Sequence, residues 1–176
     1  EIDKAKVTED LPRPVENVIP EWKEAVSPEG RAKLQQQAVA TEKEVIIGQG
    51  TFHTTKKNKF LFFFTRDEVV EGVQTIKYNQ NGLFVIEITD PKTGEIIASH
   101  DYSIAGNEMK IGSTSVSSAY QGAGVNNRIF AQTIDLHPEV TRVESLITGT
   151  SRDLYVDYLR NNPGATPLEA IKQTPA

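Results

Sequence analysis

Two glycines one residue apart, Gly122 and Gly124, stand between a strand-like and a helix-like segment of this 176-residue chain. The stretch reads Val116-Ser117-Ser118-Ala119-Tyr120-Gln121-Gly122-Ala123-Gly124-Val125. A strand ending at Val116, a glycine loop and a helix opening at once let backbone N–H groups point into one concavity with no Cβ in the way. The helix start adds open donors and the positive end of its dipole. Phosphate or pyrophosphate is the anion most often held in this manner, and Gln121 offers a neutral side-chain amide beside it.

Other chemistries find less material. The three histidines, His53, His100 and His137, show no spaced cluster, so no metal site is expected. The chain has no cysteine, which excludes disulfides, thiol nucleophiles and thiolate metal sites. There is no Gly-x-Ser-x-Gly elbow for a serine hydrolase. For a general base the sequence offers Glu108, at the start of a strand, and the adjacent His100 and Asp101. Alternation along a strand sends the last two to opposite faces, so they form no dyad. Lys56, Lys57 and Lys59 are the one dense basic patch, read as a solvated turn. The net charge of −5 argues against a dedicated nucleic-acid binder. No run approaches the roughly 18 apolar residues that span a bilayer. The longest is Phe60-Leu61-Phe62-Phe63-Phe64, and no membrane partner is expected.

The elements that must position these residues follow from local pattern. Residues 1–20 carry Pro12, Pro14 and Pro20 among polar residues and read as a linker or docking arm. Residues 22–46 read as helical, with Ser27-Pro28-Glu29 as cap, first-turn proline and first-turn acid, and Gly48 and Gly50 close that region. The apolar run 60–64 suits a buried strand. Residues 65–78 return to helical spacing through Val69, Val70, Val73 and Ile76, with Thr65 and Glu68 as a capping box. Strands are expected over 83–88 and 96–104, joined by the hairpin turn Asp90-Pro91-Lys92-Thr93-Gly94. After the turn Ala105-Gly106-Asn107 comes a strand over 108–116, then a helix over 124–136 that Pro138 stops. A strand over 142–147, a helix over 151–160 and a short helix from Thr166-Pro167 complete the order. The expected class is α/β (α+β): a mixed, mostly antiparallel central sheet flanked by helices on both faces, with an N-terminal helical extension. Residues 1–46 form the arm and extension, which docks through Trp22, Val26, Leu34 and Val39. Residues 47–176 form the core domain.

The segment from Val116 through Phe130 resembles motif A of the GNAT superfamily of acyl-CoA N-acyltransferases. There a valine-ended strand leads to an aromatic residue, then Arg or Gln, then Gly-x-Gly and an amphipathic helix. The resemblance extends over residues 59–158, through the strand meander before the loop and the strand and tyrosine-bearing helix after it. It implies a GNAT-like fold and a bound acetyl-CoA or other acyl-CoA. Val116, Gln121, Gly122, Ala123, Gly124, Val125 and Asn126 would hold the cofactor, with Asn126 where the family prefers Gly or Ala. It implies an amine acceptor, whether a small molecule, a protein or an aminoacyl-tRNA, that attacks directly with no enzyme nucleophile. The Leu154-Tyr155 pair resembles the family's Leu-Tyr and makes Tyr155 the expected proton donor to the departing thiolate, with Tyr158 the second choice. A phenol, with a pKa of about 10, still carries its proton at neutral pH. Glu108 completes the expected catalytic set, and the site of action is the cytoplasm. Two other readings stay open. Val15-Glu16-Asn17-Val18 resembles the Val-Glu-Asn-Asn boundary before toxin domains of contact-dependent inhibition proteins. A secreted toxin or effector domain would act on tRNA or a protein and pair with an immunity protein. The fold is also compatible with partner binding alone.

Overall fold

The computed structural model describes residues 20–60, 64–145, 150–151 and 160–162. One sheet runs in sequence order through β1 (Val45–Phe60), β2 (Phe64–Tyr78), β3 (Phe84–Thr89), β4 (Ile96–Ala105), β5 (Glu108–Val116), β6 (Arg142–Ser145) and β7 (Thr150–Ser151). Every neighbouring pair is antiparallel except β5 and β6. Those two are parallel because a helix, Val125–Leu136, crosses between them. Two further helices, α1 (Pro20–Ala25) and α2 (Pro28–Thr41), precede the sheet, so the crossover helix is α3. The mixed, mostly antiparallel α+β class expected from the sequence is the class observed. Among the described residues no helix is long and apolar enough to cross a membrane.

The largest departure is residues 65–78, expected as a helix and observed within β2. The buried positions there are Val70, Gly72, Gln74, Ile76 and Tyr78, a strict period of two. Gly72 and Gln74 hid that period, since neither looks like a core residue. The helical spacing of Val69, Val70, Val73 and Ile76 was incidental: Val69 is 74% exposed. Nor does Glu68 complete a capping box. It accepts a hydrogen bond across the hairpin from the Asn58 amide at 2.6 Å. β-Branched residues favour the pleated state once a partner strand is present, and β1 supplies one along the whole length.

The N-terminal helices also end earlier than expected. Ser27 accepts from Gly30 N–H at 3.1 Å and Pro28 opens α2, as read. The helix stops at Thr41 with Glu42 in the left-handed region, and Val45 and Ile46 already belong to β1. The sheet therefore starts just before the expected boundary at residue 46. Gly48 and Gly50 do not end a region; they lie inside β1 and form the seat of Trp22. A Cβ at Gly48 would overlap the Trp22 indole, and one at Gly50 would sit 3.4 Å from its Cη2. Trp22, Val26 and Leu34 join the sheet's core cluster as expected, with Ala38 besides, whereas Val39 stays 57% exposed. The run 60–64 is not a separate strand. Phe60 pairs with Phe64 at the far end of the β1–β2 hairpin, and residues 61–63 lie outside the described residues.

Register builds the inner face in rows. Tyr78 pairs with Phe84 and Phe84 with Tyr102, so their rings meet at 4.9 and 5.1 Å between centroids. Such pairs contribute about 0.5–1.5 kcal/mol beyond burial. The next row carries Ile76, Ile86, His100 and Thr114. The described helices cover this one face. Trp22 rests on Gly48 and Gly50, and Gln132 of α3 accepts a buried hydrogen bond from Gln74, the register partner of Gly50, at 2.7 Å. The opposite face carries Lys77, Glu87 and Asp101, with Lys77 within 3.8 Å of Glu87. Helices were expected on both faces, and a helix was expected over residues 151–160. Ser151 instead ends β7, and 152–159 lie outside the described residues.

Gly48→Ala tests the seat of Trp22. The added methyl must displace the indole or bend β1, so stability should fall by about 1–3 kcal/mol. Trp22 fluorescence should shift to the red. Unchanged melting and emission would show that the contact contributes little.

Candidate functional site

The glycine loop begins where β5 hands its last ladder bond to β4: Ser117 N–H donates to Ile97 O at 2.9 Å. A single 3-10 turn, Ser118–Tyr120, follows. Gly122 and Gly124 then take φ of +83° and +73°, a region that side-chain-bearing residues avoid. Gly124 is the N-cap of α3, and no side chain caps the helix. The first-turn N–H groups of Val125, Asn126 and Asn127 are the donors that a helix start leaves open. Val125 is buried and anchors the turn, while Asn126 is exposed beside it. Ala123 packs against the core from the middle of the loop, and so does Val116 from the strand end. The Gln121 amide donates back to Val116 O at 3.2 Å, which commits one of its two N–H bonds to holding the loop.

Two lysines that the sequence reading left in a solvated turn belong to this site. Register along β1 carries them over the loop, which lies more than sixty residues later in the chain. Lys57 Nζ lies 3.4 Å from the point where a Gly122 Cβ would be. Lys56 Nζ stands 5.8 Å above the Tyr120 ring and binds Glu95 Oε2 at 2.9 Å. That hydrogen bond raises the Lys56 pKa above its ordinary value. Tyr120 is fully buried beneath it, and burial pushes its phenol up as well. The loop is thus clamped from above by β1 and from the side by the β3–β4 turn. The Lys57 ammonium lies beside Gly122, two residues before the helix N-cap Gly124. No spacing rule could have revealed this, because it depends on which residues of a long hairpin face the loop.

β5 itself is irregular at its middle. β4 residues His100 and Tyr102 face β5 residues Thr114 and Ile111, so β5 holds one extra residue there. Gly112 is required at this bulge, because the Asp101 carboxylate occupies the space of a Cβ. Asp101 accepts from Ser113 N–H at 3.0 Å and from the Ser113 hydroxyl. β6 pairs with β5 from Glu108 to Ile111. Beyond that, from the bulge to the glycine loop, β5 has no β6 partner among the described residues.

The remaining candidates divide. Glu108 lies at the opposite end of β5 from the loop, roughly 26 Å away at about 3.3 Å per residue, so the strand separates the two. Tyr155 and Tyr158 lie outside the described residues. His100 and Asp101 do point to opposite faces. His100 is buried against Thr114 Oγ1 at 2.8 Å, and burial pushes its pKa down to about 4. A ring so enclosed stays neutral at neutral pH and is shielded from any acceptor in solvent. His53 is exposed, 3.3 Å from Glu71. Comparison of the chain with protein-family models, with curated proteins and with solved structures found no match in any of the three.

Proposed function

We propose that the chain is an acyl-CoA-dependent N-acyltransferase whose glycine loop, Gln121 to Gly124, receives the cofactor's pyrophosphate. The observation that carries this reading is the left-handed Gly122 and Gly124 leading into a helix start with no side-chain cap, with the Lys57 ammonium beside Gly122. Two sources of positive potential lie there: the α3 start, whose dipole is expressed in its open first-turn N–H groups, and Lys57. A diphosphate with two negative charges fits that set better than a neutral ligand. The Asn126 side chain is exposed at the rim, which leaves the backbone approach to Gly124 clear.

The cofactor supplies an acyl group activated as a thioester, which an amine can attack without a protein nucleophile. This chain's residues bind and orient. Val125, Asn126 and Asn127 N–H groups hold the phosphate oxygens, Lys57 neutralises them, and Val116 and Ala123 fix the loop against the core. The length of β5 between the loop and the Gly112–Ser113 bulge is the surface along which the rest of the cofactor would lie. Tyr155, or failing it Tyr158, gives a proton to the departing sulfur. Glu108 is too far from the loop to share its ligand's phosphates, and no role is assigned to it. The acceptor is an amine, and the reaction belongs where acyl-CoA is found, in the cytoplasm.

Gly124→Val is the direct test. A branched Cβ disfavours φ of +73° and crowds the backbone approach, so CoA affinity measured by calorimetry should fall at least about tenfold in a folded variant. Lys57→Glu should also weaken CoA by about tenfold, or ~1.4 kcal/mol, and the loss should shrink at high salt. No binding of CoA by the unaltered protein, or equal binding by folded Gly124→Val, would discard the reading.

Tyr155→Phe separates chemistry from binding. Turnover should drop by roughly 10²-fold or more while CoA affinity stays nearly intact. If Tyr155→Phe and Tyr158→Phe both turn over at the unaltered rate, neither is the proton donor.

A further inference from the structure

Away from the glycine loop, a chain of buried polar groups joins the N-terminal helices to the sheet. His137, the residue that ends α3, and Tyr102 of β4 are both fully buried. His137 Nε2 and Tyr102 Oη are 2.8 Å apart. On the ring's other side, Nδ1 is 3.7 Å from Glu139 Oε1. Glu139 in turn is bound by Arg31 of α2, and Arg31 also donates to Val26 O, just after α1, at 3.1 Å. The ring edge meets Phe84 at 5.0 Å between centroids, and Arg160 donates to the His137 carbonyl at 3.0 Å. His100 lies one ring further on, its ring centroid 5.6 Å from that of Tyr102. Tyr78, which stacks edge-on against Phe84, also feels the Arg31 charge, as do Tyr102 and His137.

We propose that this chain is an acid-released latch: neutral His137 holds α1 and α2 closed over the sheet, and its protonation opens them. The hydrogen-bond inventory gives the reason. A neutral imidazole accepts the Tyr102 O–H at Nε2, and its Nδ1–H faces Glu139 and the Val26 carbonyl without closing a hydrogen bond to either. A protonated imidazole must donate at both nitrogens. Tyr102 then has to turn its O–H away, and among the described residues His137 is the hydrogen-bond partner of that hydroxyl. The phenol proton is then left without an acceptor, buried beside the Phe84 ring. The new charge is also buried. Glu139 pulls the other way, but Arg31 already shares its charge. Burial outweighs that pull, so the His137 pKa lies below 6.5. Burial would raise Glu139, yet its contacts with His137, its own backbone and Arg31 hold it at about 2. Glu139 therefore stays charged throughout the window of interest.

Lifting α1 and α2 removes Arg31 and the Val26 carbonyl from the Nδ1 side and lets water reach the ring. The open form then takes up a proton near the ordinary 6.5 while the closed form does not. A group whose folded pKa is depressed favours the closed form above 6.5 and loses that contribution as pH falls. The opening constant should rise by up to about tenfold per pH unit between 6.5 and the closed-state value. His100 is a separate site. It rests on Thr114 within the sheet, and its window near 4 belongs to unfolding of the sheet rather than release of the helices.

The chain's single tryptophan, Trp22, lies in α1 and reports the latch directly. Between pH 7 and pH 5 its emission should move to the red and its quenching by iodide should rise, with far-UV circular dichroism of the strands unchanged. The His137 imidazole signals, among three histidines in all, should titrate in step with that change. Arg31→Met keeps His137 but removes a charge that holds its pKa down and a contact that holds α2 closed, so His137 should titrate at higher pH. His137→Gln should abolish it. Should His137→Gln fail to fold, the unaltered protein decides by the joint titration of His137 and Trp22. The latch is refuted if Trp22 becomes exposed only as the strand signal is lost. It is equally refuted if His137 titrates while Trp22 stays buried, or if Arg31→Met leaves the His137 titration where it was.

Discussion

A β-strand has two faces, and the register of β1 on β2 decides which residues of both reach the core and which reach the loop. Their ladder runs from Val45↔Tyr78 to Phe60↔Phe64, interrupted by one irregularity between Ile46 and Gly48. A slip of one residue would turn Gln74, Ile76 and Tyr78 outward and carry Gly48 from beneath Trp22. It would also move Lys56 off Tyr120 and Lys57 off Gly122. The core, the helix seat and the candidate anion site thus share one geometric condition.

Polar groups inside the fold fix α3 against that ladder. Gln74 donates to Gln132, and Arg128 donates to the His53 carbonyl with its guanidinium 4.0 Å above the Phe52 ring. Tyr102 meets His137 at the helix end. A buried polar group left unpaired costs about 1–3 kcal/mol, whereas apolar contacts tolerate sliding. These bonds therefore select one rotation and one height for α3, and with them the placement of the helix start beside Lys57. Helix propensity has little to do with it, since nearly every residue of α3 from Arg128 onward is buried.

Backbone conformation at the loop is determined more locally. Left-handed Gly122 and Gly124 turn the chain from β5 into α3 within a few residues, and the bulge at Gly112 bends β5 before it gets there. The bulge side of β5 faces the Asp101 carboxylate, and its far end faces the lysines of β1. One strand thus connects the glycine loop to an irregular stretch of backbone at Gly112 and Ser113.

The sequence by itself determined whatever depends on neighbours in the chain. The strand over Glu108–Val116 matches the expected bounds, and β3, β4 and α3 fall within a residue or so of theirs. Asp90 and Gly94 close their turn through backbone and side-chain bonds within five residues. Gly122 and Gly124 take the positive φ that only their residue type makes easy. Tertiary structure decided the rest, because the deciding partner was distant. Residues 65–78 have helical spacing and strand composition at once, and only the β1 ladder makes the strand win. Gly48 looks like a terminator until Trp22 is laid on it. Lys57 looks like solvent-facing charge until the hairpin folds over Gly122. His137 carries no signal in its own neighbourhood, and its hydrogen-bond partner Tyr102 lies 35 positions away along the chain. A local pattern can fix a turn or a cap, but a face, a register or a buried bond exists only once two distant segments meet.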